Sequence, residues 1–129
     1  MSLAITRDLV LKKLRDCFRH PTDAKAALAS LEHYGNRKSH VHANLVHLAI
    51  LKLSDGKLWQ LRDYVKIARK DFRDVLVLAE TPEEARLTKE TYPLLRRGLP
   101  TKRLSRAKEI MMQKRDQAQW KAWLTSTGR

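Results

Sequence analysis

Lysine and arginine make up ten of the 36 residues from position 94 to the end, and only Glu109 and Asp116 oppose them. Residues 94–129 therefore carry a net charge of +8, whereas residues 1–93 hold 17 basic and 12 acidic residues, a net of +5. Clustered basic side chains neutralise nucleic-acid phosphates, and phosphate contacts position a protein without reading base sequence. The residues that we predict to contact phosphate here are Arg96, Arg97, Lys102, Arg103, Arg106, Lys114 and Arg115.

A second basic feature lies in the stretch WQLRDYVKIARKDFR. Helical spacing places its cations on one ridge, opposite the apolar positions Leu58, Leu61, Val65 and Ala68. The preceding segment, the turn at residues 54–56 and this helix together resemble a helix-turn-helix, whose second helix enters the major groove. The alternative is an ordinary bundle hairpin with a solvated basic face, because Asp55, Asp63 and Asp74 reduce the positive charge of this segment. The candidate second contact surface is Arg62, Lys66 and Arg69, with Arg73 continuing the ridge.

Trp120 and Trp123 are three residues apart and share one face of the predicted C-terminal helix. Their rings could stack on bases, cover apolar surface of the domain, or join two copies of the chain. The same helix has a narrow apolar seam formed by Leu104, Ala107, Met111 and Ala118. The rival hypothesis is therefore a protein-interaction or homodimerisation module without catalytic activity, whose positive charge meets an acidic partner protein.

The other candidate sites lack residues that their chemistry would need. His40 and His47 lie two helical turns apart, about 10 Å along the axis, which is too far to share one metal ion directly. Cys17 and His20 could set a thiol beside an imidazole, but the sequence marks neither an orienting group nor oxyanion donors. We find no phosphate-cradling glycine loop and no HExxH or GxSxG motif. The sequence predicts no metal site, no cofactor and no enzymatic activity.

The composition of the chain predicts the class of its partner and its cellular location. The net charge of +13 on 129 residues predicts an acidic partner, with nucleic acid ahead of an anionic membrane surface. No segment approaches the roughly 18 apolar residues of a membrane span, and charges interrupt the apolar amino-terminal positions of a would-be signal peptide. With a single cysteine, Cys17, no internal disulfide can form. We therefore expect a cytoplasmic protein.

Helical periodicity recurs along the chain, and we find neither an alternating strand pattern nor an internal repeat. We predict an all-α fold, with a compact bundle of about five helices in residues 1–93 and a basic helix or arm in residues 94–129. The first helix spans residues 4–19, and the second is capped by Thr22 or Asp23. A central helix follows Ser39, and helices then start at Lys57, near Asp71 and at TPEEARL, where Thr81 is the expected cap.

Between residues 48 and 82, the stretches LAILKLSDG, ARKDFRDVL and AETP resemble segments of small, uncharacterised bacterial proteins that are all-helical. The resemblance covers about a quarter of the chain. It implies a bacterial, helical protein and transfers no functional residue.

Overall fold

The computed structural model describes residues 5–36, 42–86, 97–98 and 106–126. Every regular element in these ranges is a helix, so the all-α prediction is confirmed. In chain order the helices are α1 Arg7–Cys17, α2 Pro21–Leu31, α3 Ala43–Ser54, α4 Leu58–Lys70, α5 Phe72–Glu80, α6 at residues 82–86, and α7 Arg106–Thr125. No described helix is both long and apolar enough to cross a membrane.

Helix α3 is the centre of the bundle, as its nearly all-round apolar surface predicts. It packs against α1, α4 and α5. Five consecutive residues from Val46 to Ile50, together with Leu51, are buried, and all but His47 are apolar. A helix that is apolar on every side must be surrounded by other elements, and this burial explains why α3 occupies the middle.

The turn after α3 ends that helix, but it does not cap the next one. Asp55 and Gly56 adopt positive φ angles of 52° and 72°, a left-handed arrangement typical of helix C-termini. Ser54 Oγ donates a hydrogen bond back to the Leu51 carbonyl within α3. Helix α4 then starts at Leu58 without a side-chain cap. Its Gln60 amide donates to the Leu53 carbonyl at 2.6 Å and so ties α4 to the end of α3.

Asp71 separates α4 from α5. Its backbone is extended, and its Oδ1 accepts a hydrogen bond from the Arg73 N–H at 3.0 Å, so it is the N-cap of a new helix. The Arg73 guanidinium also pairs with this carboxylate at 3.0 Å. Arg73 therefore belongs to α5, and the expectation that it continues the ridge of α4 is wrong.

The entry to α2 also differs from the prediction. His20, rather than Thr22 or Asp23, is the N-cap, because its Nδ1 accepts from the Thr22 N–H and Pro21 occupies the first helical position. After α2, Gly35 turns the chain with φ +111°, and a Cβ there would lie 3.2 Å from the Ala43 Cβ. Only glycine fits this conformation and this close approach to the start of α3 without strain.

The second half of α7 packs on the bundle. Leu124 belongs to the same core as α3, and Trp120 and Trp123 pack against that core. The boundary that we predicted between residues 93 and 94 lies outside the described residues, as does Ser39 before α3.

Candidate nucleic-acid interface

Helix α4 presents Arg62, Lys66 and Arg69 to solvent, beside the buried Leu61 and Val65. We call these three residues the α4 basic face. Because α4 packs along α2, the three cations form one wall of a cleft of about 300 Å³ between the two helices. The α2 side and the floor of the cleft are lined by Ser30, His33 and Val65. The structure thus brings together the three residues that sequence spacing assigned to one ridge.

Few contacts neutralise the α4 basic face. Arg62 Nε donates to Ser30 Oγ at 3.3 Å, and this neutral hydroxyl leaves the guanidinium charge uncompensated. Within the described ranges, none of the three cations forms an ion pair with a carboxylate. Three exposed like charges on neighbouring helical turns repel one another, and an anion in the cleft would relieve that repulsion.

Trp59, in the first turn of α4, is a feature that our sequence analysis missed. Its side chain is 62% exposed, the most exposed of the large apolar residues described. Trp59 lies between Leu58 and Leu61 in the sequence, but 100° per residue places it about 160° from Leu61 and 120° from Val65 around the axis of α4. It therefore faces away from the buried side of the helix. The signal available in the sequence was its spacing of three and seven residues from Arg62 and Lys66.

The structure describes four of the seven predicted contact residues of the C-terminal segment. Arg97 lies exposed in a turn, and Arg106 and Lys114 are exposed on α7. Arg115 is also exposed, but its Nη1 lies 4.0 Å from Glu83 Oε1 of α6, which compensates part of its charge. Arg96, Lys102 and Arg103 lie outside the described residues.

Asp116 joins α7 to the start of α6. Its Oδ1 and Oδ2 accept hydrogen bonds from the N–H groups of Glu83 and Glu84 at 3.2 and 3.3 Å, and the side chain is 1% exposed. A carboxylate from a distant helix thus has the capping role that we expected of Thr81. The Thr81 hydroxyl instead donates to the Val77 carbonyl at the end of α5. Pro82 occupies the first helical position.

Trp120 and Trp123 lie half-buried at the contact between α7 and the bundle. Their rings stack on each other, with centroids 5.6 Å apart and planes 18° from parallel. The Lys13 ammonium lies 4.7 Å from the ring centroid of Trp123, and the Lys52 ammonium lies 5.6 Å from that of Trp120. These packing partners occupy the ring faces that base stacking would use. Trp120 and Trp123 therefore pack within the protein, whereas Trp59 is exposed.

The predicted apolar seam of α7 faces solvent. Ala107 and Ala118 are exposed, and Met111 and its neighbour Ile110 are 54% and 41% exposed. Leu104 lies outside the described residues. The side of α7 that meets the bundle carries Asp116 and the tryptophans instead, so the expected seam is not what anchors this helix.

The histidines and the cysteine have structural contacts. His47 is buried, and its Nε2 lies 2.6 Å from the Tyr34 carbonyl, while Arg7 Nη1 lies 3.5 Å from its Nδ1. His20 caps α2, and Cys17 Sγ lies 3.9 Å from the Leu51 carbonyl. Among the described residues, no three His, Cys, Asp or Glu side chains are grouped as metal ligands. His40 lies outside them.

Comparisons with protein families, curated proteins and solved structures find no match to this chain. The resemblance of residues 48–82 to small bacterial helical proteins stays a prediction.

Proposed function

We propose that the protein binds nucleic acid by contacting phosphates without selecting a base sequence. The α4 basic face is one contact surface. The basic residues of the C-terminal segment are the other, and of these Arg106 and Lys114 are exposed on α7. Both surfaces are rich in lysine and arginine, which supply the cations that phosphate contacts require.

One observation carries the proposal. The α4 basic face combines three exposed cations in one cleft, and no described carboxylate pairs with them. Surface lysines and arginines usually mix with acids, whereas here the nearest acidic residue on the helix, Asp63, makes no ion pair with them. An arrangement that leaves repulsion uncompensated favours binding of a polyanion, because each neutralised phosphate also releases condensed counterions.

The experiment is fluorescence anisotropy with labelled oligonucleotides across a salt series, using the full chain. We expect the affinity to fall steeply with salt, with a slope of log K against log salt of about −0.9 per phosphate contacted on duplex DNA and about −0.7 on single strands. The triple variant Arg62→Gln, Lys66→Gln, Arg69→Gln should reduce that slope by about 2 to 3 units, because each cation contributes about one phosphate contact.

A matched control separates local contact from net charge. Lys12→Gln, Arg19→Gln, Lys25→Gln removes the same three charges from exposed positions that do not line the cleft. We expect this control to leave the slope close to that of the unmodified chain. Equal slopes for the two triple variants would show that α4 is not the contact surface, and a flat salt dependence of the unmodified chain would overturn the proposal itself.

The exposed seam of α7 favours a second candidate function, a homodimerisation or protein-interaction module. Met111 and Ile110 lie on the surface of a helix whose other side packs on the bundle. Sedimentation over a range of concentrations tests this candidate with Met111→Lys as the variant. A dimer that dissociates in the variant supports it, whereas a monomer at every concentration contradicts homodimerisation.

A further inference from the structure

We infer that the partner is single-stranded nucleic acid, with one base stacked on the Trp59 indole while the adjoining backbone follows the α4 basic face. This inference rests on the proposed function and adds to it the form of the nucleic acid and the residue that contacts a base.

The first observation is the position of Trp59. At 100° per residue, Trp59, Arg62, Lys66 and Arg69 fall within a sector of about 80° on α4. Trp59 precedes Lys66 by seven residues, about 10 Å along the helix axis. An exposed aromatic ring at the end of a row of cations is the combination by which proteins hold single strands, because the ring takes a base and the cations take the phosphates.

The second observation is the exposure of the indole. Tryptophan is buried on average, and Trp120 and Trp123 of this chain follow that rule by packing on the core. Trp59 does not, and with 62% of its surface exposed it gains little from folding. An indole that contributes little to the core has a ring face available for a ligand.

The form of the nucleic acid follows from what an indole face can contact. In a duplex the base faces are stacked on one another, and the grooves present only base edges. A single strand offers unstacked bases, and each base that stacks on an aromatic side chain strengthens binding. The indole therefore distinguishes a single strand from a duplex, whereas the cations alone would bind both.

The charges around Trp59 indicate along which side of α4 the backbone of the bound nucleic acid would run. Asp63, one turn after Trp59, is exposed on the flank away from Arg69 and repels phosphate. Arg62 and Lys66 lie on the opposite flank, and they continue toward Arg69 and the cleft beside α2. The backbone that leaves the stacked base is therefore expected to run from Trp59 along Arg62 toward Arg69.

The test measures anisotropy with a labelled 12-nucleotide oligothymidine and with a duplex of the same length, using the full chain. Trp59→Ala should weaken single-strand binding by about 5- to 100-fold, and Trp59→Phe should keep most of the affinity, because phenylalanine retains an aromatic face. The salt slope should not change in either variant. Val77→Ala, at another exposed apolar side chain, is the matched control and should bind as the unmodified chain does.

Quenching of tryptophan fluorescence by the oligothymidine gives a second readout, and it should be lost in Trp59→Phe. If single strand and duplex bind equally and Trp59→Ala has no effect, this inference is overturned while phosphate binding stands. Loss of duplex binding in Trp59→Ala to the same extent would also overturn it, since the indole would then act on a duplex. If neither oligonucleotide binds at low salt, both this inference and the proposed function fail.

Discussion

At the scale of single residues, Lys13 and His47 are polar side chains that the fold buries. Lys13 is 1% exposed, and its ammonium donates to the Trp123 carbonyl, the Ser126 carbonyl and the Ser126 hydroxyl. These carbonyls end α7, where the helix dipole is negative and a cation is favourable. Burial lowers the pKa of Lys13, and the nearby Asp16 opposes that change. Lys13 thereby fixes the end of α7 to α1, a contact that no local sequence pattern predicts.

His47 makes the stability of the fold depend on pH. Burial lowers its pKa below the usual value of about 6.5, and the Arg7 charge lowers it further, while the hydrogen bond to the Tyr34 carbonyl has the opposite effect. Because the unfolded chain takes up this proton more readily, the stability contributed by neutral His47 is full above about pH 6.5. It is lost as the pH falls from 6.5 toward the lowered pKa.

We therefore expect His47→Gln to lose less stability than the unmodified chain when the pH falls from 7.5 to 5. At pH 7.5 the variant should itself be less stable, because the contacts with Arg7 and Tyr34 change. Urea unfolding followed by circular dichroism at several pH values measures both effects. Parallel pH curves for the two chains would contradict the assignment, because Glu80, whose pKa is raised by burial, is common to both.

At the scale of elements, the contact between α6 and α7 depends on Asp116. We expect Asp116→Ala to lower the free energy of unfolding by about 1–2 kcal/mol, because two N–H donors at the start of α6 lose their acceptor. Glu109→Ala removes an exposed acid from the same helix and is the matched control. Thermal unfolding of the two variants gives the comparison, and equal melting temperatures would show that this cap contributes nothing.

The helices themselves could largely be predicted from the sequence. Helix α3 was recognisable because apolar residues cover nearly all of it, and α4 because Leu61, Val65 and Ala68 recur at helical spacing. The packed side of α7 could not be predicted, because its central residue is a charged one, Asp116. Hydrophobic periodicity favours the seam through Met111 instead, and a buried carboxylate is explained only by a donor pair from another helix.

The candidate site could be predicted in part. Arg62, Lys66 and Arg69 share a face because of α4 alone, so spacing was enough to group them. The cleft required α2 to lie alongside α4, and such a pairing between distant segments leaves no local signal for Ser30 and His33. Trp59 was missed for a different reason, since an aromatic residue in an apolar stretch is expected to be buried.

At the scale of the whole molecule, α7 has two opposite roles. Its first half carries exposed cations such as Arg106 and Lys114, and its second half supplies Leu124 to the core. Trp120 also packs beside Lys52, whose ammonium donates to the Ala79 carbonyl at the end of α5. The segment for which we propose phosphate binding is thus fastened to the bundle at its far end. The orientation of the exposed half of α7 relative to the bundle therefore depends on that anchor.

Removal of residues 106–129 should consequently cost the fold much of its stability, in addition to the loss of charge. Truncation of a buried leucine costs about 2–5 kcal/mol. Helix α7 supplies Leu124 to the core, and the half-buried Trp120 and Trp123 add further packing contacts. The total stability of a small domain is about 5–15 kcal/mol. We expect the shortened chain to lose its cooperative thermal transition, as followed by circular dichroism. A transition within a few degrees of that of the full chain would instead show that the bundle folds independently of α7.

The expected loss of structure would by itself abolish binding. The contribution of α7 to nucleic-acid affinity therefore has to be measured with Arg106→Gln and Lys114→Gln in the full chain.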